Sequence, residues 1–303
     1  MTIRLGTRGS PLALTQANMV RDALLAANGW APSQVEIVVI RTTGDKVQDR
    51  PLAEIGGKAL WTKELDGALL EGHTDASVHS MKDVETIRPA GITIAAMLPR
   101  ADVRDRLIGA EGIAAMPRGA RLGTSSPRRA AQLRRLRPDL EIVMFRGNVD
   151  TRLAKLEAGE ADATLLAAAG LERLGRHDVG VAIPTEVMLP APAQGAVGIE
   201  VRSGDDAAMR AVAAIDHPET HACVAAERAL LAALKADCHS PVAALARIEG
   251  AILSIAAELY SEDGAHHVQA LETGPPRDPR VAETLAAKLL AHAPPEVARL
   301  FGG

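Results

Sequence analysis

One phrase occurs twice in this chain. Arg4-Leu5-Gly6-Thr7 is followed, after Arg8-Gly9, by Ser10-Pro11, and Arg121-Leu122-Gly123-Thr124 is followed, after Ser125, by Ser126-Pro127. Each copy reads as a short strand, a polar turn and a helix start, because serine is a good N-cap and proline suits the first helical position. A weaker echo follows each copy: Gly72-His73-Thr74-Asp75-Ala76-Ser77 and Gly159-Glu160-Ala161-Asp162-Ala163-Thr164. Together they predict two related α/β units, each presenting a strand-to-helix turn to a common space. A helix N-terminus carries unpaired N–H groups and partial positive charge, so it attracts anions. In the second copy the hydroxyls of Thr124, Ser125 and Ser126 and the guanidiniums of Arg128 and Arg129 surround that end. The plainer alternative is an ordinary capped helix with solvated arginines.

The basic residues cluster. Arg118–Lys155 holds ten Lys/Arg against three Asp/Glu, in a chain of net charge −4. Only five residues are aromatic: Trp30, Trp61, Phe145, Tyr260 and Phe301. The core is therefore expected from Ala, Leu, Val and Ile, and stacking on nucleic-acid bases has almost no residues to use. Acidity overall argues against general nucleic-acid binding, so the Arg-rich window calls for a small or medium anionic partner. A length of 303 residues suggests two or three domains. Residues 1–30 lack a continuous apolar h-region, and no apolar run reaches membrane-spanning length. Two cysteines, with no Cys-x-x-Cys, make no disulfide framework; a cytoplasmic protein with reduced thiols and no membrane association is expected.

In chain order, Ile3–Gly6 is a strand and Pro11–Asn28 a helix whose apolar face also carries Gln16. That amide needs a partner in the protein or in a ligand. Val35–Ile40 is a strand. The polar stretch Thr42–Ala59 has the length and composition of a mobile lid. Helix Leu60–Glu71 and strand Ala76–Val78 lead into His79-Ser80-Met81-Lys82-Asp83. Ligands of open α/β sheets bind beyond the carboxyl ends of strands, which singles out Asp83; the alternative is a surface turn with a Lys–Asp ion pair. His79 is more simply a structural hydrogen-bonding residue, and no metal-ligand spacing surrounds it. Strand Ile92–Met97 is followed by a crossing at Pro99–Arg104. The second unit continues as strand Arg121–Thr124, helix Pro127–Leu136, strand Glu141–Phe145, helix Val149–Glu157 and strand Asp162–Leu166. Arg146 and Arg152 flank the start of its second helix. Ala167–Arg173 opens a helix with small residues that let a ligand approach the backbone. Pro184, Pro190 and Pro192 mark the return crossing to a strand over Gln194–Val201, so late sequence completes the first unit. Such lobes enclose a cleft and hinge about it.

Asp216-His217-Pro218 opens a third region: helix Glu219–Ala236, strands Val242–Glu249, Ala251–Leu259 and His266–Leu271, and helix Pro279–His292. Cys223 falls on the apolar face of the first helix and reads as a core residue. Cys238 lies in a turn past the helix end. It is open to three readings: an inert thiol, a metal ligand or a reactive thiolate. One cysteine beside His239 does not make a tetrahedral metal site, and the loop position favours access.

These stretches together resemble the porphobilinogen deaminase family, also called hydroxymethylbilane synthases. The resemblance is carried by Thr7–Leu14, Gly56-Gly57-Lys58, Val78–Val84, Gly123–Arg129, Arg146–Leu153, Gln194–Glu200 and Cys238, in the family's order over essentially the whole chain. It implies an α/β fold of two periplasmic-binding-protein-like α/β lobes joined by two crossing segments, plus a small C-terminal α+β domain. The expected limits are 1–98 with 195–215, 99–194, and 216–303. It also implies a dipyrromethane primer held by a thioether to Cys238, onto which four porphobilinogen units add with loss of ammonia before hydrolysis releases the linear tetrapyrrole. By family match Asp83 contacts pyrrole N–H groups, of primer and substrate alike, and assists proton transfer, and Lys82 pairs with a ligand carboxylate. Arg128, Arg129 and Arg173 hold the primer. Arg8, Arg146 and Arg152 hold the incoming unit and the growing chain. Ser10, Gln16, Thr124, Ser125, Ser126 and Gln194 supply neutral hydrogen bonds. No metal is implied, and a monomer is expected.

The chain departs from the family's pattern at Ala193 and Ala59, where glycines are common, at Trp61, where phenylalanine is usual, and at Ala236-Asp237, which replaces a glycine pair before the cysteine. Two rivals remain at this point: a hinged protein that binds a small anion without chemistry, and a nucleic-acid binder using Arg118–Lys155.

Overall fold

The computed structural model describes residues 2–41 and 62–302. The expected lid over Thr42–Ala59, the Gly56-Gly57-Lys58 stretch and the departures at Ala59 and Trp61 lie outside them. In chain order the elements begin with β1 (Ile3–Arg8), α1 (Pro11–Asn28), β2 (Val35–Ile40), α2 (Lys63–Leu70), β3 (Ala76–Ser80) and β4 (Ile92–Met97). They continue with β5 (Asp105–Ile108), β6 (Arg121–Gly123), α3 (Pro127–Leu136), β7 (Glu141–Val143), α4 (Val149–Glu157), β8 (Ala163–Ala167), α5 (Ala168–Arg173) and β9 (Val181–Ala182). The last are β10 (Val197–Arg202), α6 (Asp206–Ala213), α7 (Pro218–Ala233), β11 (Val242–Glu249), β12 (Ile252–Tyr260), β13 (His267–Gly274), α8 (Pro279–His292) and α9 (Pro295–Ala298).

The described chain divides into two compact units, residues 1–101 with 195–221 and residues 102–194 with 222–303. The first holds a five-stranded sheet of order β2-β1-β3-β10-β4. Strands β1, β2 and β3 are parallel, and β10 runs antiparallel between β3 and β4. Ile3 and Leu5 are fully buried, and Val20 and Leu24 of α1 close the same core. Polar residues interrupt these strands: in β1, Ile-Arg-Leu-Gly-Thr-Arg, Ile3, Leu5 and Thr7 are buried while Arg4 and Arg8 are half-buried.

The second unit repeats the plan. Its sheet has the order β7-β6-β8-β5-β9, with β6 parallel to β7 and β8 and with β5 antiparallel between β8 and β9. The doubled sequence phrase thus corresponds to a doubled topology: β1 and β6 occupy the same sheet position, as do β10 and β5. Gly123 sits where a Cβ would meet the Phe145 ring at 2.4 Å, so the strand end packs against that ring only without a side chain. The antiparallel sheet β11-β12-β13 belongs to the same unit and packs on α8 through Ile255, Ala257, Leu285 and Leu289.

Among the described strands and α-helices, four escaped the sequence reading: β5, β9, α6 and α9. β5 is Asp-Arg-Leu-Ile, too short and too charged to announce a strand, yet Asp105 and Leu107 both point inward and are buried. The expected strands Arg121–Thr124 and Glu141–Phe145 end earlier, at Gly123 and Val143, and the helix expected to Ala236 stops at Ala233. No helix of the described residues is long and apolar enough to cross a membrane.

Candidate active site

In the first unit a pocket opens beyond the carboxyl ends of β1 and β3. Arg8, Ser10, Gln16, Thr62, His79, Ser80 and Asp83 line it, with Leu12, Ala13, Val78 and Val84 as its apolar wall. Ser10 caps α1, its hydroxyl accepting from Ala13 N at 3.3 Å. Gln16 is buried, and its Nε2 donates to Ser80 Oγ at 2.8 Å, so the amide on the apolar stripe finds its partner inside the protein. Asp83 ends a single 3-10 turn, Met81–Asp83, whose Met81 is buried and whose Met81 N donates to Ala196 O at 3.1 Å. Gly198 lies beneath that turn, where a Cβ would sit 2.1 Å from Met81 Sδ. The turn is therefore pinned from below, and Asp83 is exposed with Lys82 half-buried beside it.

Behind the pocket lies a charged cluster that the sequence did not announce. His79 Nε2 is 3.2 Å from Glu200 Oε2, and both side chains are buried. Arg88 makes a two-point contact with Glu200, Nε to Oε1 at 2.7 Å and Nη2 to Oε2 at 2.8 Å, and also reaches Asp66. Burial pushes the Glu200 carboxyl up, but His79 and Arg88 outweigh it and hold the group down at about 2. Burial dominates for Asp66 and raises its carboxyl against the pull of Arg88.

In the second unit Ser126 caps α3, its hydroxyl accepting from Arg129 N at 3.4 Å, and Thr124 Oγ1 accepts from Ser126 N at 3.2 Å. The expected primer arginines are not open cationic heads. Arg128 and Arg129 are buried and converge on buried Asp105, Arg128 Nη1 to Oδ2 at 2.8 Å and Arg129 Nη2 to Oδ1 at 2.7 Å. Arg128 also donates to Gln132 Oε1 and Leu189 O, and Arg129 to Leu165 O. Gln194 Nε2 joins them, donating to Asp105 Oδ1 at 2.9 Å and to Val103 O at 2.8 Å. Although burial opposes it, the two guanidiniums hold the Asp105 carboxyl far below the usual carboxylate range. Asp105 is the residue that sequence reasoning missed; the only available signal was an acidic residue opening an apolar run.

The remaining cations of this unit stand elsewhere. Arg152 Nε donates to Gly147 O at 3.0 Å and its Nη2 to Ser125 Oγ at 3.4 Å, which ties the start of α4 to the Thr124–Ser126 turn. Arg146 is half-buried in the turn before it. Arg173, at the end of α5, is half-buried, and burial lowers its pKa.

Cys238 is exposed and Cys223 buried. The Cys238 turn is built by Asp237, whose Oδ1 accepts from His239 N at 2.9 Å and whose N–H donates to Ser240 Oγ at 3.1 Å. The left-handed residue of this segment is Lys235, at φ 53°, not Ala236 or Asp237, so the missing glycine pair costs the turn no forbidden geometry. Ala193 is different. It is left-handed at φ 61°, the conformation that makes glycine the ordinary residue there, and Glu227 holds it by accepting from Ala193 N at 2.5 Å. Among the described residues no three His, Cys, Asp or Glu side chains are grouped as a metal site.

Residues 3–210 match the family model described as porphobilinogen deaminase, dipyromethane cofactor binding domain, and residues 221–292 match the porphobilinogen deaminase C-terminal domain. The chain is 60% identical over 307 residues to porphobilinogen deaminase of Sphingopyxis alaskensis, covering 99% of this chain and 96% of that one. It is 50% identical to the protein of the same name from Paracoccus denitrificans, over 96% and 95% of the two chains. A solved structure it is similar to is the second substrate binding domain of a putative amino acid ABC transporter from Streptococcus pneumoniae, with TM-score 0.43 and 14% identity over 70% of this chain and 90% of that one.

Proposed function

Because this chain belongs to the porphobilinogen deaminase family, we propose a role for each residue of the candidate site. The enzyme is a hydroxymethylbilane synthase: it joins porphobilinogen molecules, with loss of ammonia, into a linear tetrapyrrole, with dipyrromethane as cofactor. When bound, that group supplies the pyrrole to which the first porphobilinogen is joined, and it stays on the protein when product leaves. The second unit has the donor set such a polyacid needs. Arg128 and Arg129 against Asp105 leave one surplus positive charge, Arg173 adds another, and Thr124, Ser125 and Ser126 add hydroxyls. Charge-assisted hydrogen bonds of this kind are worth about 1.5–3 kcal/mol each.

Cys238 carries the primer through a thioether. The observation that carries this assignment is the exposure of Cys238 in its turn while the other cysteine is buried. In the first unit Asp83 faces the pyrrole, where its carboxylate stabilises the cation that develops as ammonia departs. In the first unit Lys82 and Arg8, and in the second Arg146 and Arg152, pair with substrate and chain carboxylates; Ser10 supplies a hydroxyl at the first-unit pocket, where buried Gln16 holds Ser80, and Gln194 supports the Asp105 cluster of the second unit. The reading extends to a three-part division at 1–98 with 195–215, 99–194 and 216–303, and to a cytoplasmic monomer, which light scattering of the purified protein tests. Intact mass tests the attachment: Cys238→Ser is expected to have the mass of the bare polypeptide, while the parent protein carries an adduct. A pyrrole adduct that persists in Cys238→Ser overturns the assignment.

A further inference from the structure

The segment that carries Asp83 leaves the sheet after Ser80 and rejoins it at Ile92, where β4 begins. β10 holds this segment at two places. The first is steric: Met81 packs into the space left by Gly198, and its N–H donates to Ala196 O at 3.1 Å. The second is Arg88. Its guanidinium forks Glu200, Nε donating to Oε1 at 2.7 Å and Nη2 to Oε2 at 2.8 Å, and Nη2 also donates to Asp66 of α2. Between the two places the chain swings outward. Asp83 is exposed and Ile87 is 71% exposed, while Val84 turns inward to the pocket wall. Arg88 then brings the chain back, its side chain only 7% exposed.

Stability alone is a poor reason for this arrangement. Burying one cation between two carboxylates carries a desolvation cost that an apolar side chain of similar volume avoids, so the net gain is small. What the fork adds is direction. A two-point contact between planar groups fixes the plane of the guanidinium as well as its position, which an ammonium point charge does not do. The bonds to Glu200 and Asp66 run to two elements, β10 and α2, so Arg88 is held from two sides. Asp83 lies five residues upstream on the same segment. Its carboxylate has to meet the pyrrole closely, because a misplacement of about 1 Å costs about 100-fold in rate.

We propose that Arg88 is a positioning residue for the reaction: through Glu200 and Asp66 it fixes the segment from Met81 to Arg88 so that the Asp83 carboxylate meets the pyrrole. This rests on the reading of Asp83 as the carboxylate of the porphobilinogen site. Arg88→Lys keeps the charge and loses the fork. Holoenzyme of this variant, its primer confirmed by intact mass, is expected to have kcat lower by about tenfold with KM changed by less than about threefold. Glu200→Gln disrupts the fork from the other side with almost no change of volume and should give the same split. A merely structural role would lower the amount of folded enzyme, and its effect would not depend on Asp83. The cycle with Asp83→Glu reads that dependence. In a background where the carboxylate is already displaced, Arg88→Lys should cost less than about threefold in kcat. A kcat within about threefold of the parent in either single variant overturns the proposal, and so does an equal loss in both Asp83 backgrounds. If Asp83→Glu turns over porphobilinogen as the parent does, the reading of the site has failed and the proposal falls with it; if Asp83→Glu is impaired while Arg88→Lys is not, only the role of Arg88 is lost.

Discussion

Asp105→Asn tests the buried core of the second unit with almost no change of volume. In the parent, Asp105 accepts from Arg128, Arg129 and Gln194 at 2.7 to 2.9 Å and is 1% exposed. The amide keeps one acceptor oxygen but brings no charge, so two buried guanidiniums then share a site without a counter-ion. Two charge-assisted bonds at about 1.5–3 kcal/mol each bound the effect, and broken buried pairs cost about 3–5 kcal/mol, so the expected loss is about 3–5 kcal/mol. With two compact units a global melt mixes transitions. Hydrogen exchange read on peptides spanning 105–108 and 127–136 isolates the local one, and protection there should fall by about two to more than three orders of magnitude. The pH dependence follows from the depressed carboxyl: its contribution is complete above the ordinary carboxylate pKa and is lost as pH falls toward the folded value. The parent–variant difference should therefore be flat from about pH 5 to 8 and shrink only in strong acid. A loss below about 1 kcal/mol at pH 7 would show that the guanidiniums are satisfied without Asp105 and would refute the reasoning.

Asp83→Ala should keep the fold, because the side chain is exposed above a turn pinned by Met81, yet lose nearly all turnover in a porphobilinogen consumption assay. Ala193→Gly should raise stability by about 0.5–1 kcal/mol in thermal unfolding, since relief of left-handed strain of about 1–2 kcal/mol exceeds the glycine entropy cost; a lower melting temperature would count against it. Glu200, held at about 2 against an ordinary 4.5, adds stability that is full above about pH 4.5 and lost on acidification toward pH 2. Asp66, raised by burial, opposes this and blunts the limb. An acid titration of unfolding in Glu200→Gln should lack that limb, and an unchanged profile would mean Glu200 does not titrate with folding.

The two strand-to-helix starts were legible because capping is local: Ser10 and Ser126 bond to N–H groups three residues on. Asp83 was legible for a different local reason, its place just past the carboxyl end of a short apolar strand. What the sequence hid was long-range. Asp105 meets partners some twenty residues and more away, and His79 meets Glu200 only because β10 lies antiparallel to β3. Gln16 shows the middle case: periodicity put an amide on an apolar face, but only the fold names Ser80 as its partner. The departures from the family's glycines divide the same way. Ala193 carries the left-handed strain that its position predicts, whereas Asp237 replaces glycine without strain because the left-handed step falls on Lys235.

The interleaving of β10 between β3 and β4 bears on synthesis. A nascent chain that has emerged only as far as Ala101 has its outer partners in hand but lacks the ribbon that joins them, and must wait for the entire intervening sheet to be translated. The second sheet has no such delay, since β5 precedes its neighbours. Ribosome-bound intermediates should thus acquire protease resistance in the middle of the polypeptide before its amino-terminal portion.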